Sequence, residues 1–422
     1  MKSFYSTGIV LLSLVALTGF GCRNTQNLSG GSGDNNTLVV WGLWQDSADM
    51  EQVVKGFEDQ YKIKVDYKKI ASVATYEKTL LEALAQGRGP DVFVIHHTWV
   101  EAKSGIMSPA PSSIIDTRAM QEEFAEVASK DLVKDGFVYA LPVSIDTMAL
   151  YYNKDILASA GIAKPPATWD EFQRAVERIT KVTRLGILEQ SAATIGTAAN
   201  VNRASDILQL LMLQSGLLIK DSSTGRVDIA NEFGERATTF YTDFANRSKR
   251  VYTWNLQQDY SLDAFASGKS AMMLNYSYNI PTIQAKNPRL NFGIAPIPQI
   301  ADSKKISFAS YWPFAVSVSS RSPETAWTFV RFMTNKNAAA SINATQNTPP
   351  ARLDSVADVA RDPMLGVFAE QTLTATSWPR YDIVAVDAIM NKMIDDIVGN
   401  TATITDALRS AEDQLKNIAP QS

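Results

Sequence analysis

The chain has 422 residues and a hydrophobic content of 45%, enough for two ordinary domains with real cores, which excludes disorder of the whole. Its 40 basic and 44 acidic side chains leave a formal net charge of -4, and no run of Lys and Arg forms the basic stripe that nucleic-acid phosphates demand. A single cysteine excludes an intrachain disulfide framework.

Met1 and Lys2 give a positive start, Gly8 to Leu17 is an apolar run, and Thr18 to Gly21 are small apart from Phe20, so residues 1–21 read as a signal peptide. The run, about ten residues, is too short for the roughly 20 of a permanent span. It ends in Leu17-Thr18-Gly19-Phe20-Gly21-Cys22, which resembles a bacterial lipobox, with Gly19 where that pattern has Leu and bulky Phe20 next to it. Lipidation of Cys22 is expected on that resemblance; an ordinary secreted protein with a stray thiol is the bland alternative. Arg23 to Asn36, rich in Gly, Ser and Asn, cannot pack and predicts a flexible leash, making 22–36 a linker.

From Leu38 the pattern is regular. Leu38 to Leu43 predicts a strand, and Asp46 or Ser47 caps a helix with Met50, Val53, Val54, Phe57 and Tyr61 on one face. Ile63, Val65 and Tyr67 alternate as a strand. A second helix carries Tyr76, Leu80, Leu81 and Leu84, stops at Gly87, and Gly89-Pro90 leads into Val92 to Ile95, an unbroken apolar run typical of a central parallel strand. This is βαβαβ, hence a parallel sheet under helices, where ligands sit at the strands' carboxyl ends. Those ends are Trp44 to Asp46, Ala71 to Thr75 and His96 to Trp99.

Thr168 and Glu171 make a capping box for a helix running to Lys181, and a mostly helical stretch follows, with Ile207 to Leu213 and Phe233 to Phe244 as helices. Strand-like segments return at Ala271 to Asn275, Phe292 to Ala295 and Phe314 to Ser319. Ser322-Pro323-Glu324 opens another helix, and Ile383 to Ile418 reads as two amphipathic helices parted near Gly399.

Gly268-Lys269-Ser270 looks like the end of a phosphate loop, but Asp263 stands where its first Gly is required. The stretch Asp263 to Met273 instead resembles a helix, turn and strand of the extracellular solute-binding proteins of ATP-binding cassette importers. Gly87 to Phe93, Tyr139 to Asp155, Pro165 to Phe172, Phe292 to Pro298, Ser310 to Val316, Ala326 to Met333 and Thr348 to Arg352 match the maltose-binding-like sugar-binding group of that family, in its order. The resemblance implies an α/β, two-lobed periplasmic-binding-protein fold of type II, with crossings near Val143, Phe308 and Pro349. Lobe one is then 37–143 plus 313–348, and lobe two 144–312 plus 349–422.

It also implies a monomeric, non-enzymatic receptor without cofactor, tethered outside the membrane, that closes on a carbohydrate or polyol and docks on a permease pair. Expected at the cleft are Trp44, Gln45, Asp46, His97 and Trp99 from lobe one; Ser144, Asp146 and Trp312 at the crossings; and Asn275, Tyr276, Trp378, Arg380 and Tyr381 from lobe two. Aromatic rings would cover apolar sugar faces. Asp46 would equally serve as a helix cap, Trp44 as core, and Trp254 and Trp327 read as core.

His96 and His97 are the only histidines; neighbours on a strand point to opposite faces, which disfavours chelation of one ion, although Tyr151-Tyr152 keeps an iron site open. A glycerol phosphate or a peptide remains an alternative solute. A secreted hydrolase would need two facing carboxylates, and no nucleophile or zinc motif is present.

Overall fold

The computed structural model describes residues 36–70, 72–218 and 228–419. The signal peptide, Cys22, all but the last residue of the leash, and Ala71 lie outside the described residues. Among the described residues no helix is long and apolar enough to cross a membrane.

The chain folds as two lobes of mixed helix and sheet. In lobe one Thr37–Gly42 pairs in parallel with Lys64–Lys69 on one side and Val92–Val94 on the other, the predicted βαβαβ arrangement. Val92–Val94 is buried throughout, as its unbroken apolar sequence requires, whereas the edge strand Lys64–Lys69 is half-buried. Phe314–Ser317 returns from far along the chain to lie antiparallel beside Val92–Val94, with Met107–Ser108 and Ala140–Leu141 paired to it. It ends two residues before the predicted Ser319, because Ser320 N–H bonds back to Ser317 in a turn (3.1 Å).

Lobe two is built on a five-stranded sheet in the order Lys181–Val182, Leu188–Ala193, Ser270–Asn275, Ala149–Asn153, Phe292–Ala295. Alternation across it separates two cores. Leu150, Met272 and Leu274 face one helical layer, while Ala149, Tyr151 and Met273 face a smaller cluster with Phe265 and Phe368. Leu188–Ala193 corrects the expectation of helix after residue 181: its sequence, LEQSAA, lacks β-branched residues, and burial between sheet neighbours decides its form. The Thr168/Glu171 capping box is present, and its helix spans Trp169–Ile179 before the chain turns into that sheet. The tail forms Ile383–Val398 and Ile404–Ile418.

The crossings lie side by side. Ala309 and Ser310 pair antiparallel with Thr147 and Asp146, and Ser144 bridges Pro350. Three short connections thus run in lateral contact between the two sheets.

Candidate functional site

Lobe one offers an aromatic wall at its strand ends. Gly42 closes the first strand where an added Cβ would sit 1.8 Å from the Tyr67 hydroxyl, and that close approach lets the hydroxyl donate to the Gln45 carbonyl at 2.9 Å. The following turn leaves Trp44 46% exposed, and its ring meets Trp312 edge to face at 6.1 Å. Around Trp312 stand His96 (5.2 Å), Trp99 (6.0 Å) and Tyr76 (6.4 Å), all near perpendicular to it. Trp99 and Tyr76 are buried and support the half-buried Trp312 from behind.

His96 and His97 lie beyond the end of Val92–Val94, so strand alternation no longer separates them and their rings approach to 4.3 Å, against the sequence expectation. Their roles differ. His97 stacks on Tyr311 (4.4 Å) and its Nδ1 is 2.8 Å from Asp131, which also accepts from the Tyr311 hydroxyl at 2.8 Å. His96 turns toward Trp312; burial holds its pKa well below the ordinary value, and His97, Arg380 and Arg203 add to the effect. Among the described residues no group of three or more His, Cys, Asp or Glu is arranged to hold a metal. Tyr151 is in the core, its hydroxyl donating to the Tyr276 carbonyl at 2.6 Å.

Lobe two answers with charge and two tyrosines. Tyr276 and Tyr278 stack at 5.7 Å with the Arg203 guanidinium over both, and Arg203 Nε donates to the Tyr278 hydroxyl at 2.7 Å. Arg203 sits at φ 62°, a left-handed conformation that costs a non-glycine residue about 1 kcal/mol or more and concentrates at functional sites. Tyr276 is buried and donates to Asp206 at 2.7 Å; Tyr278 is 43% exposed. Asp206 is buried, which alone would raise its pKa, but Arg380, Arg203 and the Tyr276 hydroxyl together hold it below the usual carboxylate range. Arg380 donates to Asp206 and Gln209 and lies 3.1 Å from Asp387. A cavity of about 330 Å³ opens beside this network, lined by Asn202, Arg203, Ser205, Asp206, Tyr260 and Asp387 among others. Asn275 joins its rim by donating to Asn202 at 3.0 Å.

The other expected residues divide. Asp146 is consumed by the protein: it accepts from Ser277 Oγ (2.8 Å) and from the backbone N–H of Thr147, Ser277 and Tyr278, fixing the turn that presents the two tyrosines. Asp46 points outward, paired with Lys69 at 2.8 Å. Ser144 is in the hinge, and Trp378 packs in the lobe-two core. Tyr381 is buried, with its carbonyl accepting from Lys103 at 3.0 Å. Sequence reasoning missed Tyr278, Arg203 and Asp206. Tyr278 had a signal, since it stands two residues beyond Tyr276; Arg203 and Asp206 lie in a helix start without a motif.

Aromatic rings clustered at the lobe-one strand ends and a tyrosine and arginine network on lobe two, linked through the Thr98 hydroxyl and the Arg380 carbonyl, suit a two-lobed receptor for small solutes, in which closure would surround the ligand. Residues 41–340 match the bacterial extracellular solute-binding proteins, and the chain belongs to that family. It is 24% identical over 371 residues to a maltotriose-binding protein of Pyrococcus abyssi, covering 84% of this chain and 75% of that one. With a maltodextrin-binding protein of Bacillus subtilis it shares 22% over 391 residues, covering 88% and 87%. Among solved structures, a cyclo/maltodextrin-binding protein complexed with maltotetraose superposes with a TM-score of 0.76 at 21% identity, over 91% of this chain and 97% of that one.

Proposed function

We propose that this protein captures a carbohydrate or related polyol between its lobes and hands it to the permease of an ATP-binding cassette importer, without chemical turnover. The observation that carries the reading is the presence of two aromatic groups, Trp44 of lobe one with Trp312 at the crossing, and Tyr276 and Tyr278 of lobe two beneath the Arg203 guanidinium. Aromatic faces cover the C–H faces of a sugar ring, while Asp206, Asn202 and Arg203 offer acceptors and donors to its hydroxyls. The names of the relatives favour a malto-oligosaccharide.

The lobes divide at 143/144, 312/313 and 348/349, and the working unit is a monomer. Trp44, Gln45, Trp312, Asn275 and Tyr276 contribute to the cleft, with Trp99, His97, Ser144, Asp146, Trp378, Arg380 and Tyr381 holding its walls and hinge in place. Cys22 carries the lipid that tethers the protein to the outer face of the membrane through residues 22–36.

Titration calorimetry and thermal shift with maltose to maltotetraose test the reading: binding raises the melting temperature by mass action and leaves the sugar intact by chromatography. Absence of any carbohydrate response sinks the sugar assignment, and product formation sinks the receptor reading. Mass spectrometry of the mature N-terminus tests the anchor, since an unmodified Cys22 would mean a freely secreted protein.

A further inference from the structure

At the edge of the lobe-two sheet, Lys181 and Val182 pair antiparallel with Gln190 and Leu188 to form a hairpin. Its tip is closed internally. Thr183 N–H bonds Ile187 (2.8 Å), Gly186 N–H bonds Thr183 (2.9 Å), and the Thr183 hydroxyl accepts from Leu185 N–H (3.2 Å) and Ile187 N–H (3.1 Å). Gly186, at φ 78°, allows the turn. With these amides satisfied, the tip's backbone asks little of water, and entry into a poorly hydrated layer costs less.

The side chains face outward. Leu185 is 86% exposed, Ile187 59% and Val182 45%, three large apolar groups on one projecting tip. Single exposed hydrophobics are ordinary, but a cluster marks a surface with a partner. Arg184 stands at the tip and Lys181 at its base, with Arg174 and Arg178 on the preceding helix Trp169–Ile179; all four are exposed and make no ion pair with a described residue. The loop at 246–252 adds Arg247, Lys249 and Arg250, and is tied to the hairpin base through the Thr253 hydroxyl, which accepts from Thr180 Oγ1 (2.8 Å) and Ala192 N–H (2.7 Å). Only Lys249, with Asp243 at 3.3 Å, and Arg250, with Glu177 at 3.9 Å, are paired. Glu189 in the hairpin and Glu177 on the preceding helix offset part of this charge, so the surplus rests on Lys181, Arg184 and the 246–252 loop, in a chain whose net charge is -4.

We infer that hairpin 181–190 is a membrane-surface contact that dips Leu185 and Ile187 into an anionic bilayer and so sets how lobe two stands on the membrane. Apolar tips enter the headgroup boundary while neighbouring cations reach lipid phosphates. A protein groove would accept the apolar tip but gives no use to the unpaired cations around it. The inference is independent of which solute the cleft holds.

Cys22 is the only cysteine, so the full chain with Cys22→Ser and Leu185→Cys carries one environment-sensitive fluorophore at the tip. Vesicles of phosphatidylglycerol and phosphatidylcholine are expected to shift its emission to the blue, with phosphatidylcholine alone giving little. Lys181→Gln and Arg184→Gln should each weaken partitioning roughly fivefold. Salt near 1 M, where the Debye length is about 3 Å, should reverse it. A parallel label at Glu82→Cys, exposed in lobe one, should stay unmoved even if the N-terminal segment itself associates with lipid. No shift at 185, an equal shift at 82, or indifference to loss of the two cations overturns the proposal and leaves the tip to a protein partner.

Discussion

Thr98 donates its hydroxyl to the backbone carbonyl of Arg380 at 2.7 Å, while the Arg380 guanidinium turns the opposite way, into the Asp206 and Gln209 network of lobe two. Residues 377–381 thus strap one lobe to the other. Ser377 Oγ donates to Asp131 at 2.5 Å and Lys103 donates to the Tyr381 carbonyl, so three bonds to lobe one exist only while the lobes are together.

Ser377→Ala should therefore favour the open form. One lost hydrogen bond is worth about 1 kcal/mol, or roughly a fivefold weaker affinity, if the open state gains by that amount. Calorimetry reads the affinity and small-angle scattering the expansion of the ligand-free protein. Unchanged values in both would show that the strap does not govern closure.

Arg380→Met should destabilise lobe two by about 3–5 kcal/mol, because it leaves the buried Asp206 without its main counter-charge. Adding Asp206→Asn should restore much of that loss, since the stranded charge is removed with its partner. Chemical denaturation of both single variants and the double variant gives the coupling directly.

Trp44→Ala and Tyr278→Ala truncate exposed rings on opposite walls. Each should weaken sugar binding about tenfold, from an aromatic contact worth about 1.5 kcal/mol. Trp44→Ala should move stability by no more than about 0.5 kcal/mol, whereas Tyr278→Ala also removes the acceptor of Arg203 Nε and should cost about 1 kcal/mol. Loss of affinity confined to one wall would place the solute on a single lobe.

Asp146 gives a pH signature. Burial pushes its carboxyl up to about 6, although four hydrogen bonds from Ser277, Thr147 and Tyr278 pull the other way. The folded state then binds a proton that the unfolded chain, with a carboxyl near the ordinary 3.8, does not hold between these values. Its contribution is full below pH ~4 and is lost as pH rises through ~6, about 3 kcal/mol in all. Asp146→Asn should flatten the stability profile over that window, measured by urea denaturation at successive pH values. A slope that survives the substitution assigns the effect to other groups.

Periodicity and capping were enough to read the parallel strands of lobe one and the capped helix at Thr168, because alternation and capping are local properties of the chain, whereas the two-lobed fold came from the family resemblance of the ordered motifs. Leu188–Ala193 was illegible, since its small and polar residues become a strand only when sheet neighbours cover them. The same division holds at the site. Trp44 and Trp312 were visible as aromatics beside a strand end and a crossing. That Tyr278 faces outward while Tyr276 turns in to Asp206, and that Asp146 spends its carboxylate on the turn between them, follows from contacts between residues 70 to 132 positions apart in the chain. Local sequence carries no record of such pairs; packing within lobe two decides them.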